Sequence, residues 1–394
     1  MTRPEPIDLD ANATTAVLPE VVSAMAPFWQ ARSGNPASAH RLGQLARQAL
    51  EEARERIAHL IDAAPASVVF TSGATEANNT ALRGLLPDRP EPGRRHILTT
   101  PLEHPSVSEV LAQLARLGFE VESVPATTKG TVSPTAFRER LRPETCLAVA
   151  MLANHETGAL LPVAELARGL VSDPPARPVP VHCDAAQAVG KVPVSFRQLD
   201  VATLSASAHK FHGPQGVGFL VVRPEVNLRP WLWGGHQQQG RRPGTEPVAL
   251  AVGCAVALEL AVRDRDRRLA HLGRLRAIFL EAVRQARPAP IVNGPAEADA
   301  GLVHTLNLSF PGLPAALLLM RLDLAGVACS AGSACSSGSL LPSPVLAAMG
   351  LEPARLESAV RFSFPCTLTE EKARQAGAIV VREVAALQAA QAEP

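Results

Sequence analysis

The sequence contains no tyrosine, and aromatic residues of all kinds make up only 4% of its 394 residues. An excess of either charge is also missing, because 38 Lys and Arg are balanced by 37 Asp and Glu. Basic residues do not form runs interleaved with aromatic ones, the pattern typical of nucleic-acid binding. The near-zero net charge does not favour an anionic membrane surface either. We therefore expect no nucleic acid and no membrane as partner, but a small molecule or another protein.

Long apolar segments are absent as well. Residues 1–6 contain no apolar signal segment, and the most apolar later stretch, Leu317 to Ala328, is interrupted by Arg321 and Asp323. Neither stretch resembles a signal peptide or a membrane span, so we expect a cytoplasmic location. Hydrophobic residues nevertheless make up 46% of the chain, which is enough for a sizeable core.

Cysteine is scarce, since the chain has only six. So few thiols in a chain of this length do not form a disulfide framework. Cys146, Cys183 and Cys254 lie in apolar runs, which is typical of buried structural thiols. Cys329 and Cys335 share a loop of Gly, Ser and Ala, and neither a C-x-x-C pair nor a histidine cluster predicts a metal site there. Cys335 lies nearer the centre of that loop and is the predicted working thiol, whereas Cys329 is expected to pack at the end of an element.

Short β-branched or apolar runs alternate with helical patterns up to residue 222. The predicted strands are Ser67 to Thr71, Arg95 to Thr100, Glu120 to Val124, Leu147 to Leu152, Val179 to Cys183, Val201 to Ser205 and Gly218 to Val222. This alternation predicts an α/β fold with a largely parallel sheet covered by helices on both faces, and ligands at the carboxyl ends of the strands. From about Val262, a charged helix, two strands, an apolar helix and a final helix predict a second, smaller α+β domain.

A lysine follows one of these strands, in the segment from Ser205 to Gly218. A lysine amine held in a pocket can form a Schiff base, and hydroxyl, imidazole and backbone N–H groups can bind a phosphate. Lys210 is therefore the candidate for holding an aldehyde cofactor, with Ser207 and His209 as phosphate contacts. The alternative is a surface lysine beside an ordinary Gly-rich turn.

Other strand ends supply complementary groups. Asp184 can keep the ring nitrogen of pyridoxal phosphate (PLP) protonated, and Gln187 can donate a hydrogen bond to the phenolate oxygen of the ring. Alternatively, Asp184 caps the helix that follows it. After Gly73 a helix begins, and the N–H groups of Ala74 and Thr75 at its N-terminus can bind a phosphate.

Three further residues are candidates for the same site. His104 can stack on an aromatic ring, and Asn154 offers an amide to a bound carboxylate. Arg361 can bind a substrate carboxylate bidentately, with a surface ion pair as the alternative. Each group alone is common in loops, but together they complement one cofactor and predict one site.

Over nearly the whole chain these residues resemble the cysteine desulfurase family, within the class V aminotransferases of PLP fold type I. The motifs are Leu9-Asp-Ala-Asn-Ala-Thr-Thr15, Gly34-Asn-Pro-Ala-Ser-Ala-His40, Thr71-Ser-Gly-Ala-Thr-Glu76, Glu103-His104, Asn154 with Glu156-Thr-Gly158, His182-Cys-Asp-Ala-Ala-Gln187, Ser205 to Gly218, Arg242-Pro-Gly-Thr245 and Gly332-Ser-Ala-Cys-Ser-Ser-Gly338. The last motif resembles the subgroup whose long mobile loop carries sulfur to acceptor proteins. The resemblance implies a large domain, residues 16–261, with a mostly parallel seven-stranded sheet between helices. A small α+β domain, residues 1–15 and 262–394, would carry the cysteine loop.

The resemblance also implies the reaction. L-cysteine would be converted to L-alanine, with its sulfur transferred to Cys335 as a persulfide for delivery to a sulfur-acceptor protein. Lys210 would hold PLP as a Schiff base and act with His104 on the α-proton of the substrate. His104 would stack on the ring, which Asp184 and Gln187 would tune.

The remaining contacts implied by the resemblance concern the phosphate and the substrate. Thr75, Ser207 and His209 would hold the phosphate. In a homodimer, Thr245 would reach the phosphate of the neighbouring subunit's PLP. Asn154 and Arg361 would bind the substrate carboxylate.

The chain departs from the family pattern at two places. His155 stands where a second Asn is usual, and Phe364-Pro-Cys366 replaces the common Leu-Gly-Arg. Two alternatives therefore stay open: a class V PLP enzyme acting on another substrate, such as a selenocysteine lyase, a β-lyase or an aminotransferase, or a catalytically weak desulfurase-like partner protein. The sequence does not identify the sulfur acceptor, which can belong to an iron-sulfur cluster, a thio-cofactor or a tRNA pathway.

Overall fold

The computed structural model describes residues 6–172, 178–295, 301–331 and 342–392. Its strands are β1 (Ile7–Asp8), β2 (Val68–Thr71), β3 (His96–Thr99), β4 (Glu120–Ser123), β5 (Thr145–Val149), β6 (Val181–Asp184), β7 (Thr203–Ser207), β8 (Gly218–Val222), β9 (Ile291–Asn293), β10 (Thr305–Ser309), β11 (Val327–Ala328) and β12 (Ala359–Ser363). Its α-helices are α1 (Pro19–Trp29), α2 (Arg41–Leu60), α3 (Ala74–Leu85), α4 (Pro105–Arg116), α5 (Pro134–Arg138), α6 (Val163–Ser172), α7 (Phe196–Leu199), α8 (Val248–Arg263), α9 (Arg265–Val283), α10 (Ala315–Leu324), α11 (Pro344–Ala348), α12 (Pro353–Leu356) and α13 (Glu370–Ala392). No helix in these ranges is long and apolar enough to cross a membrane.

The central sheet has seven strands in the order β2-β8-β7-β6-β5-β3-β4. The pairs from β7 through β6, β5 and β3 to β4 are all parallel, whereas β8 runs antiparallel to both of its neighbours. The predicted mostly parallel seven-stranded sheet is thus confirmed. The carboxyl ends of β6 and β7 lie side by side in its middle, so the residues that follow these strands are brought together.

Helices cover the sheet on both faces because all of its strands except the exposed edge strand β4 are buried on both sides. Val68 and Phe70 of β2 pack into the core that contains α1, α2 and α8. The intervening Val69 points to the opposite face, as alternate residues of a strand must, and packs with Ala77 and Ala81 of α3. The prediction of a sheet between two helical layers is therefore confirmed.

A second core lies in the C-terminal part of the chain. There β9, β10 and β12 form an antiparallel sheet in the order β12-β10-β9, packed with residues of α9, α10 and α13. Ile7 and Leu9 from the start of the chain belong to this same core, and β1 pairs in parallel with β11. The N-terminal segment thus joins the C-terminal core, as the predicted domain division requires. The boundaries at residues 15/16 and 261/262 themselves stay a prediction.

Gly218, the first residue of β8, permits a close approach that shapes the edge of the sheet. A Cβ atom at this position would lie 2.4 Å from the carbonyl oxygen of Ala206 and 2.7 Å from the Cα atom of Gly73. Because both neighbours are backbone atoms, neither can turn away as a side chain would. Glycine here lets the start of α3 lie directly beside the end of β7, where the candidate site is built.

Candidate functional site

A cavity of about 550 Å³ opens where the central strands end. It is lined by these residues of the predicted site: Ala74, Thr75, His104, Asp184, Gln187, Ser207, His209, Lys210 and Arg361. The structure therefore brings together polar groups from several strand ends that are far apart in sequence. No group of three or more His, Cys, Asp or Glu within the described ranges could hold a metal ion.

Lys210 lies in a single 3₁₀ turn, Ala208–Lys210, directly after β7. Its Nζ atom donates to the carbonyl oxygens of Asn12 at 2.6 Å and Ala13 at 2.9 Å. The side chain is half-buried and lines the cavity, so it is not a surface lysine. Two backbone carbonyls from the N-terminal segment therefore fix the amine at the cavity wall.

Asp184, the last residue of β6, is buried, and each of its carboxylate oxygens accepts a hydrogen bond. Its Oδ2 atom accepts a hydrogen bond from Asn78 Nδ2 at 2.8 Å, and its Oδ1 atom accepts from the Ala186 N–H at 2.9 Å. The second bond holds the turn that follows; residues 185–195 contain no helix, so the alternative that Asp184 caps a following helix is wrong. The carboxylate nevertheless lines the cavity, and both functions are compatible because each uses a different oxygen.

Asn78 of α3 is a site residue that the sequence reading missed. It is fully buried, and its Nδ2 atom also donates to Ser106 Oγ at 2.8 Å. Its Oδ1 atom accepts from Ser205 Oγ at 2.5 Å and pairs with His182 Nε2 at 3.0 Å. All hydrogen-bonding capacity of the amide is thus used. The available signal was a polar residue on the apolar face of an amphipathic helix, which predicts a buried partner.

His104 caps the N-terminus of α4 and forms one wall of the cavity. Its Nδ1 atom accepts from the Ser106 N–H at 3.1 Å and lies 2.8 Å from Ser106 Oγ. Burial lowers the pKa of His104, although the nearby Asp184 carboxylate opposes this shift. The ring therefore favours its neutral form, and its orientation is fixed. It meets His155 edge-on, with 5.3 Å between the ring centroids.

The N-terminus of α3, Ser207 and His209 form the polar end of the cavity. The first N–H groups of a helix have no partner inside the helix and bind anions readily. His209 Nδ1 pairs with Thr14 Oγ1 at 3.1 Å. Burial, together with the charges of Lys210 and Lys191, lowers the pKa of His209 to about 4. This end can therefore donate hydrogen bonds from neutral groups to a phosphate.

Gln187 also lines the cavity, but much of its amide is already bonded. Its Nε2 atom donates to the carbonyl oxygen of Asn12 at 3.0 Å, and its Oε1 atom accepts from Lys191 Nζ at 2.5 Å. One of its two N–H donors is therefore committed to the backbone.

The structure does not bring Asn154 into the cavity. The side chain is fully buried, with its Oδ1 atom accepting from the N–H groups of Glu156 and Thr157 at 2.9 Å each. Its Nδ2 atom donates to the carbonyl oxygen of Leu102 at 3.2 Å. The amide thus holds a tight turn, and its contact with a substrate carboxylate stays a prediction. The next residue, His155, lines the cavity instead.

His155 had been noted from the sequence only as a departure. Its Nδ1 atom is buried without a hydrogen-bond partner in the described part of the chain, and its Nε2 atom lies 3.7 Å from Glu156 Oε1. Burial lowers the pKa of His155 well below its usual value, with the charges of His104, Arg361 and Lys210 acting in the same direction. A neutral imidazole with an unsatisfied nitrogen therefore lies at the cavity wall.

Arg361 on β12 is 3% exposed, so it does not form a surface ion pair. Its Nη2 atom binds Asp10 Oδ1 at 2.6 Å, and its Nη1 atom donates to the carbonyl oxygen of His155 at 3.0 Å. The guanidinium lines the cavity. Its contact with a substrate carboxylate stays a prediction.

The other predicted residues lie outside the cavity. Thr245 is exposed, and its predicted contact involves the cofactor of a second copy, so it stays a prediction. Cys335 lies outside the described residues. Cys329 follows β11, packs against the C-terminal core, and its thiol pKa is raised to about 12, mainly by burial. Its expected packing at an element end is therefore observed.

Comparison with known proteins agrees with this arrangement. Residues 7–375 match the family described as Aminotransferase class-V. The cysteine desulfurase IscS of Dictyoglomus turgidum is 38% identical over 363 residues, which cover 92% of this chain and 90% of that protein. The chain belongs to the cysteine desulfurase family, within the class V aminotransferases.

Solved structures of the family share the fold. A NifS-like protein superposes with a TM-score of 0.88 at 33% identity, covering 97% of this chain and 100% of that one. The structure described as SspA in complex with cysteine superposes with a TM-score of 0.78 at 30% identity, covering 92% and 99% respectively. The predicted PLP fold type I is thus confirmed, and enzymes of this family depend on PLP.

Proposed function

We propose that this enzyme is a PLP-dependent cysteine desulfurase that converts L-cysteine to L-alanine and transfers the sulfur to Cys335 as a persulfide. The convergence of Lys210, Asp184 and His104 in one cavity is the observation that carries this proposal. A family relative has been solved in complex with cysteine, which supports the same substrate here.

The residues of the cavity fit PLP. Lys210 would hold the aldehyde carbon through its Nζ atom, and Asp184 would pair with the ring nitrogen. The N–H groups of Ala74 and Thr75, with Ser207 and His209, would bind the phosphate. The bound cofactor supplies an electron sink for negative charge at the substrate α-carbon. Asn78 keeps Asp184 in place by donating to the oxygen that the backbone does not use.

Proton transfer at the substrate α-carbon is assigned to Lys210 Nζ. The carbonyl oxygens of Asn12 and Ala13 already hold this atom, so the amine stays near the cavity after it leaves the cofactor. His104 has its Nδ1 atom committed to Ser106, which orients the ring against the site. Positioning of this kind raises the rate because the proton acceptor is already held close to the reacting atom in the right orientation.

The substrate carboxylate is assigned to Arg361 and His155. A guanidinium binds a carboxylate through two parallel hydrogen bonds, and the Nδ1 atom of His155 has no protein partner within the described residues. Both side chains line the cavity. A carboxylate bound there would give the buried His155 Nδ1 atom a hydrogen-bond partner, and leaving such an atom unpaired costs free energy.

The proposals on sulfur transfer, the dimer and the location rest on the sequence alone. Cys335 is proposed to attack the substrate sulfur and to pass it to an acceptor protein. A homodimer is proposed because the predicted role of Thr245 requires a second copy. The cytoplasmic location inferred from the sequence also stays a prediction.

Matched cysteine variants test the proposed function. The purified enzyme should show the visible absorption band of lysine-bound PLP, and L-cysteine with a thiol reductant should yield alanine and sulfide in equal amounts. Lys210→Ala should lose the band and both products. Cys335→Ser should stop sulfide release, whereas Cys329→Ser, at the half-buried start of the same loop, should retain it. Turnover that survives Cys335→Ser would favour a PLP enzyme acting on another substrate.

A further inference from the structure

A second cavity, of about 690 Å³, shares Lys210 with the first one. Its walls are largely apolar. Its other titratable lining residues are Lys191, His212, Arg265, Arg268, His304 and Cys366. Among the described residues that line this cavity, none is Asp or Glu. A cavity of this size can hold a small ligand, and its cationic lining favours an anion with an apolar body.

Cys366 and His212 form a thiol–imidazole pair in this cavity. The distance from Cys366 Sγ to His212 Nε2 is 3.2 Å, and His212 Nδ1 lies 2.9 Å from the carbonyl oxygen of Ala16. Because a carbonyl can only accept, the ring proton must lie on Nδ1 and the lone pair on Nε2. The imidazole is thus oriented to accept the thiol proton, and a nucleophile, a base and an orienting group are in place.

At rest the imidazole is neutral and the thiol keeps its proton. Burial lowers the pKa of His212 to about 4, so its Nε2 lone pair is available at neutral pH. Burial also raises the pKa of the Cys366 thiol, although the charge of Arg268 opposes that shift. The thiol is therefore protonated at rest and depends on His212 for its reactivity.

Arg268 of α9 supplies the cation nearest to this chemistry. The neighbouring Arg263 and Arg267 both pair with Asp264. The Arg268 side chain forms no ion pair within the described ranges, is half-buried and lines the cavity, although it also interacts with the charge of Asp264. A guanidinium beside a thiol recognises an anionic group on a thiol-reactive compound.

We propose that this cavity binds a low-molecular-weight anionic disulfide and that Cys366 forms a mixed disulfide with it. The Cys366 sulfur attacks one sulfur of the ligand as its proton moves to His212 Nε2. The sulfur–sulfur bond of the ligand breaks, and the departing thiolate takes the proton from His212. Cys366 is oxidised and the ligand is reduced, so no further reactant is required. The inference does not depend on the proposed desulfurase reaction.

The test compares two disulfide reagents on the PLP-bound enzyme carrying Cys335→Ser, which removes the thiol nearer the centre of the Gly/Ser loop. The reagents are dianionic dithiobis-nitrobenzoate and neutral dithiodipyridine. One thiol should react rapidly, and peptide mapping by mass spectrometry should locate the mixed disulfide at Cys366. Adding Cys366→Ser should remove the rapid phase, since Cys146, Cys183 and Cys254 are buried and the half-buried Cys329 has its thiol pKa raised to about 12.

Two further variants test the base and the cation separately. His212 has a φ of 67°, which asparagine tolerates, so His212→Asn should fold and slow the rapid phase by about a hundredfold with both reagents. Arg268→Gln should slow the dianionic reagent by about tenfold and leave the neutral one little changed. Arg284→Gln, the same charge change beyond the far end of α9, should alter neither rate.

Several outcomes would overturn the inference. A rapid phase that persists in Cys366→Ser, or mass mapping to another cysteine, would remove Cys366 from the site. Equal effects of Arg268→Gln on both reagents would contradict the claim that Arg268 recognises the anionic group of the ligand. These readouts do not require alanine or sulfide production, so they remain decisive even if the desulfurase proposal fails.

Discussion

Asn78→Asp is the substitution that most sharply tests the support of Asp184. The change preserves the shape of the side chain but replaces the Nδ2 donor with a carboxylate oxygen. That oxygen would face Asp184 Oδ2, which lies 2.8 Å from the amide nitrogen. Because Asn78 is fully buried, solvent cannot separate the two carboxylates.

The expected loss is large and depends on pH. Two charges about 4 Å apart repel by about 4 kcal/mol at an effective dielectric constant of about 20. The lost hydrogen bond to Asp184 adds about 1–3 kcal/mol. The folded variant relieves the repulsion by binding a proton that the unfolded chain releases above about pH 4. The deficit in the free energy of unfolding should therefore grow as the pH rises from 5 to 8.

Urea unfolding of the wild type and the variant at several pH values measures this deficit. Asn79→Asp is the matched control, because its amide bonds only to the Thr75 carbonyl oxygen within α3 and is directed away from Asp184. The control should lose less than about 1 kcal/mol, as expected for a helix residue outside the core. Equal losses in the two variants, or a deficit in Asn78→Asp that does not change with pH, would refute the assigned network.

Two further predictions concern the sheet edge and a buried carboxyl group. Gly218→Ala should lower the free energy of unfolding by about 1–3 kcal/mol, because the added Cβ atom overlaps the backbone. Gly169→Ala in α6 is the control: a Cβ atom added there meets no neighbouring heavy atom within 4 Å, so this change should raise the free energy of unfolding by about 0.5–1 kcal/mol. Chemical denaturation measures both values. Burial raises the pKa of Glu103 to about 7, above its unfolded value, so its contribution to stability is present at low pH and lost as the pH rises. Relative to Glu103→Gln, the wild type should therefore lose about 3 kcal/mol between pH 4.5 and 7.5, and parallel slopes in the two proteins would contradict this.

The sequence predicted the sheet because its strands are short, apolar on both faces and separated by helical patterns. The predicted ends of the strands were less accurate than their existence. The predicted strand Val201 to Ser205 is Thr203–Ser207 in the structure, so the prediction began and ended too early. Hydrogen bonding to β8 continues to Ser207, and this pairing is not visible in local composition.

Much of the site was predictable for the same geometric reason. Parallel strands end at one edge, so Asp184, Ser207 and Lys210 had to approach each other. Contacts between distant segments were not predictable from one sequence. The backbone of Asn12 binds Lys210 across 198 positions, and the thiol of Cys366 meets His212 across 154.

The exchange between Asn154 and His155 shows a further limit. Their side chains leave the backbone in different directions, and only the turn decides which one enters the cavity. Asn154 is held by the N–H groups of that turn, a local role that its amide chemistry also allows. Sequence chemistry alone could not show that His155 lines the cavity.

The most direct test of the central claim is to locate the lysine that holds PLP. Borohydride reduction fixes the cofactor to its lysine, and peptide mass mapping then identifies that residue. The chain has four lysines, Lys129, Lys191, Lys210 and Lys372, and burial lowers the pKa of Lys191 well below its usual value, so Lys191 is the strongest competitor. The account predicts modification at Lys210 alone. Modification at Lys191, or no modified lysine in enzyme saturated with PLP, would contradict it.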